Sequence, residues 1–354
     1  MKKVVAQCDA RECEKLDLTY LKQMLPEYGV IYGEEALELV DAGIISPENV
    51  IVLQDRNSRI GRKLRKKGAI SLVNFCYESQ IYAGIYYSRL KKIAPAFKYR
   101  IYFKGMFDGL KNCDKKNNFQ ACYPGVSEFR PEPINWDDRD FVSIVVGNKY
   151  YEQGNVFPKS TFKVDKYLKW FVRLFFETKS QRFLRENELQ NKRLELIEYF
   201  GGKKVLKMYG RGWDNLSEIP VVWQKKLENI MKELAPKPVE NKLEVVSKCK
   251  FNFAVENLSY DGYVTEKILE TMVAKTIPVY LGAKDIADYV PSGCFIDLRK
   301  FDSFDALYEY MNGLTAEQAQ SYFDCAQEFL ASSEGQKYTE ESFSRFLADL
   351  IILH

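Results

Sequence analysis

The sequence predicts an α/β fold in two halves, each a parallel sheet covered by helices, facing each other across a cleft. Three observations carry this expectation. The 354 residues exceed the size at which a single hydrophobic core keeps growing, which favours two domains. Short apolar runs alternate with stretches of helical spacing in both halves, as parallel strands joined by crossover helices require. Between the two series lies a looser stretch, 112–138, whose Pro124, Gly125, Pro131 and Pro133 read as an interdomain connection.

In the first series, strands are expected at 50–53, 69–75 and 99–103, with helices at 57–67 and 83–92 between them. The second series starts with the run 141–146 and continues through 205–209, 251–255 and 277–281 to 295–298. Near the C-terminus, Thr315-Ala-Glu-Gln318 fits a capping box, and Gly313 sits where the preceding helix should end. The expected organisation is a domain over 1–138, a second over 139–330 with a helical insertion near 150–190, and a C-terminal helix over 331–354.

Composition narrows the chemistry. With 46% apolar and 29% charged residues the chain is an ordinary globular protein, and a net charge of +3 gives no reason to expect nucleic acid. The single histidine is His354, the last residue, a poor place for a rigid site. Ser–His and Cys–His dyads and histidine-containing zinc sites are thereby excluded, leaving carboxylates, Lys, Arg, Tyr and backbone dipoles. Eight cysteines without a CxxC pairing read as scattered thiols of a reducing compartment. No signal peptide and no 18-residue apolar run is seen, so a cytoplasmic location is expected; Asn215-Leu-Ser217 and Asn257-Leu-Ser259 then read as chance glycosylation sequons.

The most informative stretch is 249–281. An apolar strand, 251–255, runs into the polar loop 256–263, after which Thr265 can cap a helix whose first turn carries Glu266 and Lys267. Ligands of open α/β sheets bind beyond the carboxyl ends of the strands, beside helix N-termini whose free N–H groups suit phosphate. Lys267 adds a full positive charge there, while Glu266 suits ribose hydroxyls. A plain capped helix with a solvated lysine would show the same spacing.

Further residues separate these readings. Phe253-Ala-Val-Glu-Asn257, Tyr263-Val-Thr-Glu-Lys267, Ile277-Pro-Val-Tyr-Leu-Gly282 and Phe295-Ile-Asp297, in this order, resemble the signature of glycosyltransferase family 10. Those are the α1,3/1,4-fucosyltransferases, of the GT-B fold with two Rossmann-like domains. The resemblance implies that Glu266 binds the nucleotide ribose and Lys267 the diphosphate, and it places Asn257 and Tyr263 in the donor pocket with Glu256 orienting the loop. It also implies GDP-fucose as donor, no cofactor and no metal, and a glycan acceptor, oligosaccharide or lipid-linked, as in bacterial surface polysaccharide such as lipopolysaccharide.

Gly147-Asn148, at the end of the run 142–146, looks like the family's Ser-Asn step, with glycine in place of serine. The arginine that follows this step in the family matches Arg193 here, across a long insertion; Arg182, Arg185 and Arg211 compete with it. Within the insertion, Val164, Tyr167, Leu168, Phe171, Leu174 and Phe175 recur at helical spacing beside basic residues. The segment 164–176 either packs on its own domain or docks on a membrane surface, at the periphery of an inner membrane.

Transfer from a β-linked nucleotide sugar to an α-product is a single displacement that needs one general base. Glu78 is the candidate: it follows the apolar run 69–76, at a strand's carboxyl end, and Tyr77-Glu78-Ser79 looks like the family's Glu-Ser-Pro step, with Gln80 for proline. Asp138-Arg139-Asp140 spells the DxD motif of metal-dependent transferases, but it precedes a strand and reads as a solvated turn. Two other functions fit the same residues: a GT-B transferase with another nucleotide sugar, or a nucleotide-binding scaffold without activity.

Overall fold

A computed structural model describes residues 3–10, 16–110, 113–126, 128–148 and 179–354. The segment 164–176 and most of the insertion expected near 150–190 lie outside the described residues. The chain divides into two compact units. The first comprises Met1–Ser127, Asp261–Glu266 and Ala331–His354, and the second Glu128–Tyr260 and Lys267–Leu330.

The first unit starts with β1 (Val4–Cys8), α1 (Thr19–Met24), β2 (Gly29–Tyr32), α2 (Gly33–Asp41) and β3 (Val50–Asp55). It continues with α3 (Arg59–Lys66), β4 (Ile70–Phe75), α4 (Gly84–Ile93), β5 (Tyr99–Tyr102) and β6 (Asn118–Gln120). These strands form one parallel sheet in the order β2-β1-β3-β4-β5-β6. Central β1 and β3 are buried at every position, as a sheet covered on both faces demands. Helix α3 starts where Ser58 Oγ accepts a bond from the Gly61 N–H at 3.3 Å, and its last turn carries Lys63, Arg65 and Lys66, which suit the negative helix end.

Strand β6 corrects the reading of 112–138 as connection alone. Its half-buried Asn-Phe-Gln carries no apolar run, and it becomes a strand because β5 offers it an edge, pairing Tyr102 with Gln120.

The second unit contains β7 (Asp140–Val145), α5 (Lys179–Asn187), α6 (Gln190–Gly202), β8 (Leu206–Tyr209), α7 (Val221–Leu234) and α8 (Lys242–Ser247). After these come β9 (Cys249–Val255), α9 (Glu266–Val273), β10 (Ile277–Leu281), β11 (Ile296–Asp297), α10 (Phe304–Asn312) and α11 (Ala316–Ala331), with the first residue of α9 and the last of α11 counted in the first unit. Its sheet is also parallel, in the order β11-β10-β9-β7-β8. Leu196, Ile197, Phe200, Phe251, Phe253 and Val279 lie in its core, where the Phe200 and Phe253 rings meet at 4.8 Å. The capping box forms: Thr315 N–H donates to Gln318 Oε1 at 3.0 Å and Gln318 N–H to Thr315 Oγ1 at 3.2 Å.

The last residues, α12 (Ser333–Gln336) and α13 (Glu340–Ile352), return to the first unit. Helix α13 buries Phe343, Leu347 and Ile351; Phe343 stacks edge-on against Phe75 and Tyr77, at 5.7 and 5.4 Å. The C-terminal helix expected as a separate piece thus completes the first unit's core, because its apolar stripe needs a surface to cover. No helix among the described residues is long and apolar enough to cross a membrane.

Candidate active site

In the second unit the site grows from the carboxyl end of β9. Beyond Val255, the Glu256 N–H donates to Leu281 carbonyl oxygen at 2.8 Å, which keeps the chain in register with β10. The Glu256 side chain is fully buried, and its carboxylate lies 3.0 Å from Lys267 Nζ. Gly282 makes room for this pair: a Cβ there would sit 2.5 Å from Glu256 Cγ and 2.3 Å from Tyr280 Oη. A buried chain of bonds fixes Lys267. Ser143 Oγ donates to Asn252 Oδ1 (2.9 Å), Asn252 Nδ2 to Thr271 Oγ1 (2.8 Å), and Thr271 Oγ1 to the Lys267 carbonyl (2.6 Å). These bonds offset the cost of burying the polar groups, so the chain holds α9 against β7 and β9.

Arg193 is brought to the same loop. The segment before α6 is zipped to 257–259: Leu189 N–H donates to the Asn257 carbonyl at 3.2 Å, and Ser259 N–H to the Asn187 carbonyl at 2.7 Å. Glu188 accepts from the Gln190 and Asn191 N–H groups and so satisfies donors of the first turn of α6. One turn on, Arg193 is 7% exposed, and its Nη2 donates to the Val255 carbonyl at 2.5 Å and to Asn257 Oδ1 at 2.9 Å. Of the competing arginines, Arg182 is exposed and paired with Glu186 on α5, and Arg211 is exposed. Asn148 sits past the end of β7, where its Nδ2 donates to the Gly212 and Asn215 carbonyls at 3.0 and 2.9 Å. It ties down the loop after β8.

Tyr263 and Glu266 belong to the first unit, because the chain crosses back to the second between Glu266 and Lys267. The loop 261–266 is stitched there by backbone bonds. Gly105 N–H donates to the Asp261 carbonyl at 2.9 Å, and Gln120 Nε2 donates to the Gly262 carbonyl at 2.9 Å. Gly262 has a φ of +73°, and a Cβ would fall 2.8 Å from the Lys104 nitrogen, so the turn needs glycine twice over. The buried Tyr263 ring meets Phe103 edge-on at 4.9 Å.

The same aromatic cluster reaches the candidate base. Tyr77 packs on Phe103 at 6.3 Å and on Tyr123 at 5.5 Å. Its neighbour Glu78 is half-buried beyond the end of β4, with Oε1 accepting from the Ser79 N–H at 2.8 Å. Its carbonyl accepts from Tyr87 Oη at 3.0 Å, which fixes the backbone that carries it. Gly125 closes the circle: a Cβ on it would approach Glu266 Cβ to 2.8 Å.

The sequence reading missed Asp55 and Arg56. Both are buried at the carboxyl end of β3, joined at 2.8 Å, and Arg56 holds a left-handed φ of +44°. Its carbonyl accepts from Gln54 Nε2 and Asn74 Nδ2, each at 2.8 Å, which offsets the strain of that conformation. Burial pushes the Asp55 carboxyl up to about 6 despite the guanidinium beside it. Burial foremost raises the Cys76 thiol, and Asp55, Arg56 and Glu78 all act on it electrostatically, so these groups share one neighbourhood. The only signal in the sequence was a charged pair one residue after the apolar run 50–53.

Of the DxD residues, Asp138 is exposed in a turn, Arg139 donates to the Lys275 carbonyl at 2.6 Å, and Asp140 pairs with Lys207 at 3.2 Å. A cavity of about 350 Å³ bordered by Lys204, Lys207, Tyr209 and Lys237 on the second unit is lined by none of the predicted site residues.

Comparison with known proteins fits this arrangement. The family described as glycosyltransferase family 10 (fucosyltransferase) C-term matches residues 170–346, half of the chain. An α-(1,3)-fucosyltransferase of Helicobacter pylori is 36% identical over 114 residues, 31% of this chain and 23% of that protein. An α-(1,4)-fucosyltransferase of Arabidopsis thaliana is 38% identical over 69 residues, 20% of this chain and 17% of its own length. The matches therefore span under a quarter of these relatives. A crystal structure of an α1,3-fucosyltransferase with GDP superposes with a TM-score of 0.51 at 16% identity, covering 98% of this chain and 89% of the other. That likeness establishes the fold class as GT-B-like, two Rossmann-like units each with a parallel sheet. With half its length matched by the family, the chain belongs to glycosyltransferase family 10.

Proposed function

We propose that this protein transfers L-fucose from GDP-fucose to a hydroxyl of a glycan by a single inverting displacement, forming an α1,3 linkage to N-acetylglucosamine or glucose. The observation that supports it most is the convergence of Arg193, Asn257, Glu256 and Lys267 on one strand–loop–helix within the family-matched region. The relatives' activity and the GDP in a structural neighbour point to the same donor.

In this reading, the bond from the fucose anomeric carbon to phosphate breaks as the acceptor oxygen attacks from the opposite face. Lys267, Arg193 and the N–H groups that open α9 neutralise the departing diphosphate, with Asn148 and Tyr263 shaping the donor pocket. Glu266 accepts hydrogen bonds from the ribose hydroxyls. Glu256 holds the Lys267 ammonium in place, and Glu78 takes the acceptor's proton as the new bond forms. Two positive groups and a helix end do the work that a metal does in DxD transferases, so the reading needs no metal and no cofactor. The acceptor is an oligosaccharide or a lipid-linked glycan of a bacterial surface polysaccharide.

The test is to offer GDP-fucose and UDP-sugars with a panel of galactose–N-acetylglucosamine and glucose acceptors, in the presence of EDTA. An α-fucoside formed from GDP-fucose alone is expected. A β-product, a preference for a UDP-sugar, or GDP binding without turnover would each overturn the assignment.

A further inference from the structure

We propose that Cys294 and Cys325, in the second unit, are a dithiol that closes to a disulfide and so staples helix α11 to the end of the sheet. Cys294 ends the turn Ser292–Cys294 just before β11 and is fully buried. Cys325 lies in the middle of α11, half-buried, and its Sγ stands 2.7 Å from Sγ of Cys294. The approach is permitted by Gly293, where even a Cβ would come within 3.2 Å of Cys325 Sγ. Scattered cysteines were all that the sequence showed, since the two are 31 residues apart. Neither residue belongs to the site described above.

The chemistry follows from the difference in exposure. A low-molecular-weight disulfide such as oxidised glutathione reaches the half-exposed Cys325 first. The Cys325 thiolate attacks one of its sulfurs, forming a mixed disulfide and expelling one glutathione thiolate. Cys294, buried and in contact, then attacks Cys325 Sγ and expels the second. One sulfur–sulfur bond is broken and one is formed; the two protein protons end on the two released thiols. Burial, and after it the neighbouring thiol, raise the Cys294 thiol above its ordinary range, so the resolving step relies on contact and not on a large thiolate fraction. The product ties the β11 end of the sheet to the helix that leads out of the second unit at Leu330.

The experiment uses the full chain, incubated under native conditions with oxidised glutathione, alkylated, and digested with trypsin. Residues 285–299 and 301–337 are separate tryptic peptides with one cysteine each, so the bridge is read directly. The expected result is the linked pair, lost on reduction with dithiothreitol. In Cys294→Ser, Cys325 should instead retain glutathione as a stable mixed disulfide. Oxidised wild type should melt above the reduced form, because closing the loop restricts the unfolded chain, and Cys325→Ser should abolish that shift. Recovery of both peptides as alkylated thiols, or a persistent glutathione adduct on wild-type Cys325, overturns the proposal.

Discussion

Replacing Lys267 with methionine removes an ammonium from a carboxylate that has no access to water. Glu256 is fully buried and 3.0 Å from Nζ, while the lysine side chain is 19% exposed. At an effective dielectric of about 20 the attraction at that separation is about 5 kcal/mol, before either group's desolvation is subtracted. Breaking a buried pair from one side typically costs about 3–5 kcal/mol, because the remaining charge keeps its desolvation penalty. We expect Lys267→Met to lose about 3 kcal/mol in urea unfolding. The double variant Glu256→Gln, Lys267→Met removes both charges of the pair and should return to within about 1 kcal/mol of wild type. Its GDP affinity, measured by calorimetry, should stay lowered by about 10–100-fold, the worth of one charged hydrogen bond to phosphate. A single variant as stable as wild type, or a double variant less stable than the single, would refute the account of the pair. Wild-type GDP affinity in the double variant would show that Lys267 does not hold the diphosphate.

Glu78→Gln should bind GDP as wild type does and lose about 10²–10⁴-fold in transfer rate, and near-normal turnover would remove Glu78 as the base. Gly282→Ala places a methyl 2.5 Å from Glu256 Cγ and 2.3 Å from Tyr280 Oη; it should cost about 1–3 kcal/mol in thermal unfolding and weaken GDP binding with it. Unchanged stability and affinity would mean that the close approach at Gly282 does not position the Glu256–Lys267 pair. Asp55, raised from an ordinary 3.8 to about 6 mainly by burial, binds a proton more readily folded than unfolded. Its contribution is therefore complete below about pH 4 and is lost as pH rises through about 6, a change of about 3 kcal/mol across that window. Asp55→Asn should flatten this part of the stability–pH curve, and an unaltered curve would show that Asp55 does not titrate there.

The sequence by itself determined that both halves are α/β with parallel sheets, three of the first sheet's six strands (but not Val4–Cys8, Gly29–Tyr32 or Asn118–Gln120), and the strand–loop–helix around Glu256 and Lys267. Buried parallel strands such as Val50–Asp55 and Ile277–Leu281 are near-continuous apolar runs, and the capping box at Thr315 is a local pattern, so both can be read without a partner. What depends on contacts between distant residues had to come from the tertiary structure. The edge strand Asn118–Gln120 exists because β5 is beside it, and Ala331–His354 joins the first unit because its apolar stripe finds Phe75 and Tyr77. The same holds within the site. Pairing of Lys267 with Glu256, and the contacts of Arg193 with Val255 and Asn257, follow from burial and a loop zipped to 257–259, which no spacing encodes. A single motif, contiguous in the chain, is divided at Glu266/Lys267 between two units, because contacts with distant residues rather than chain order decide which unit each residue joins.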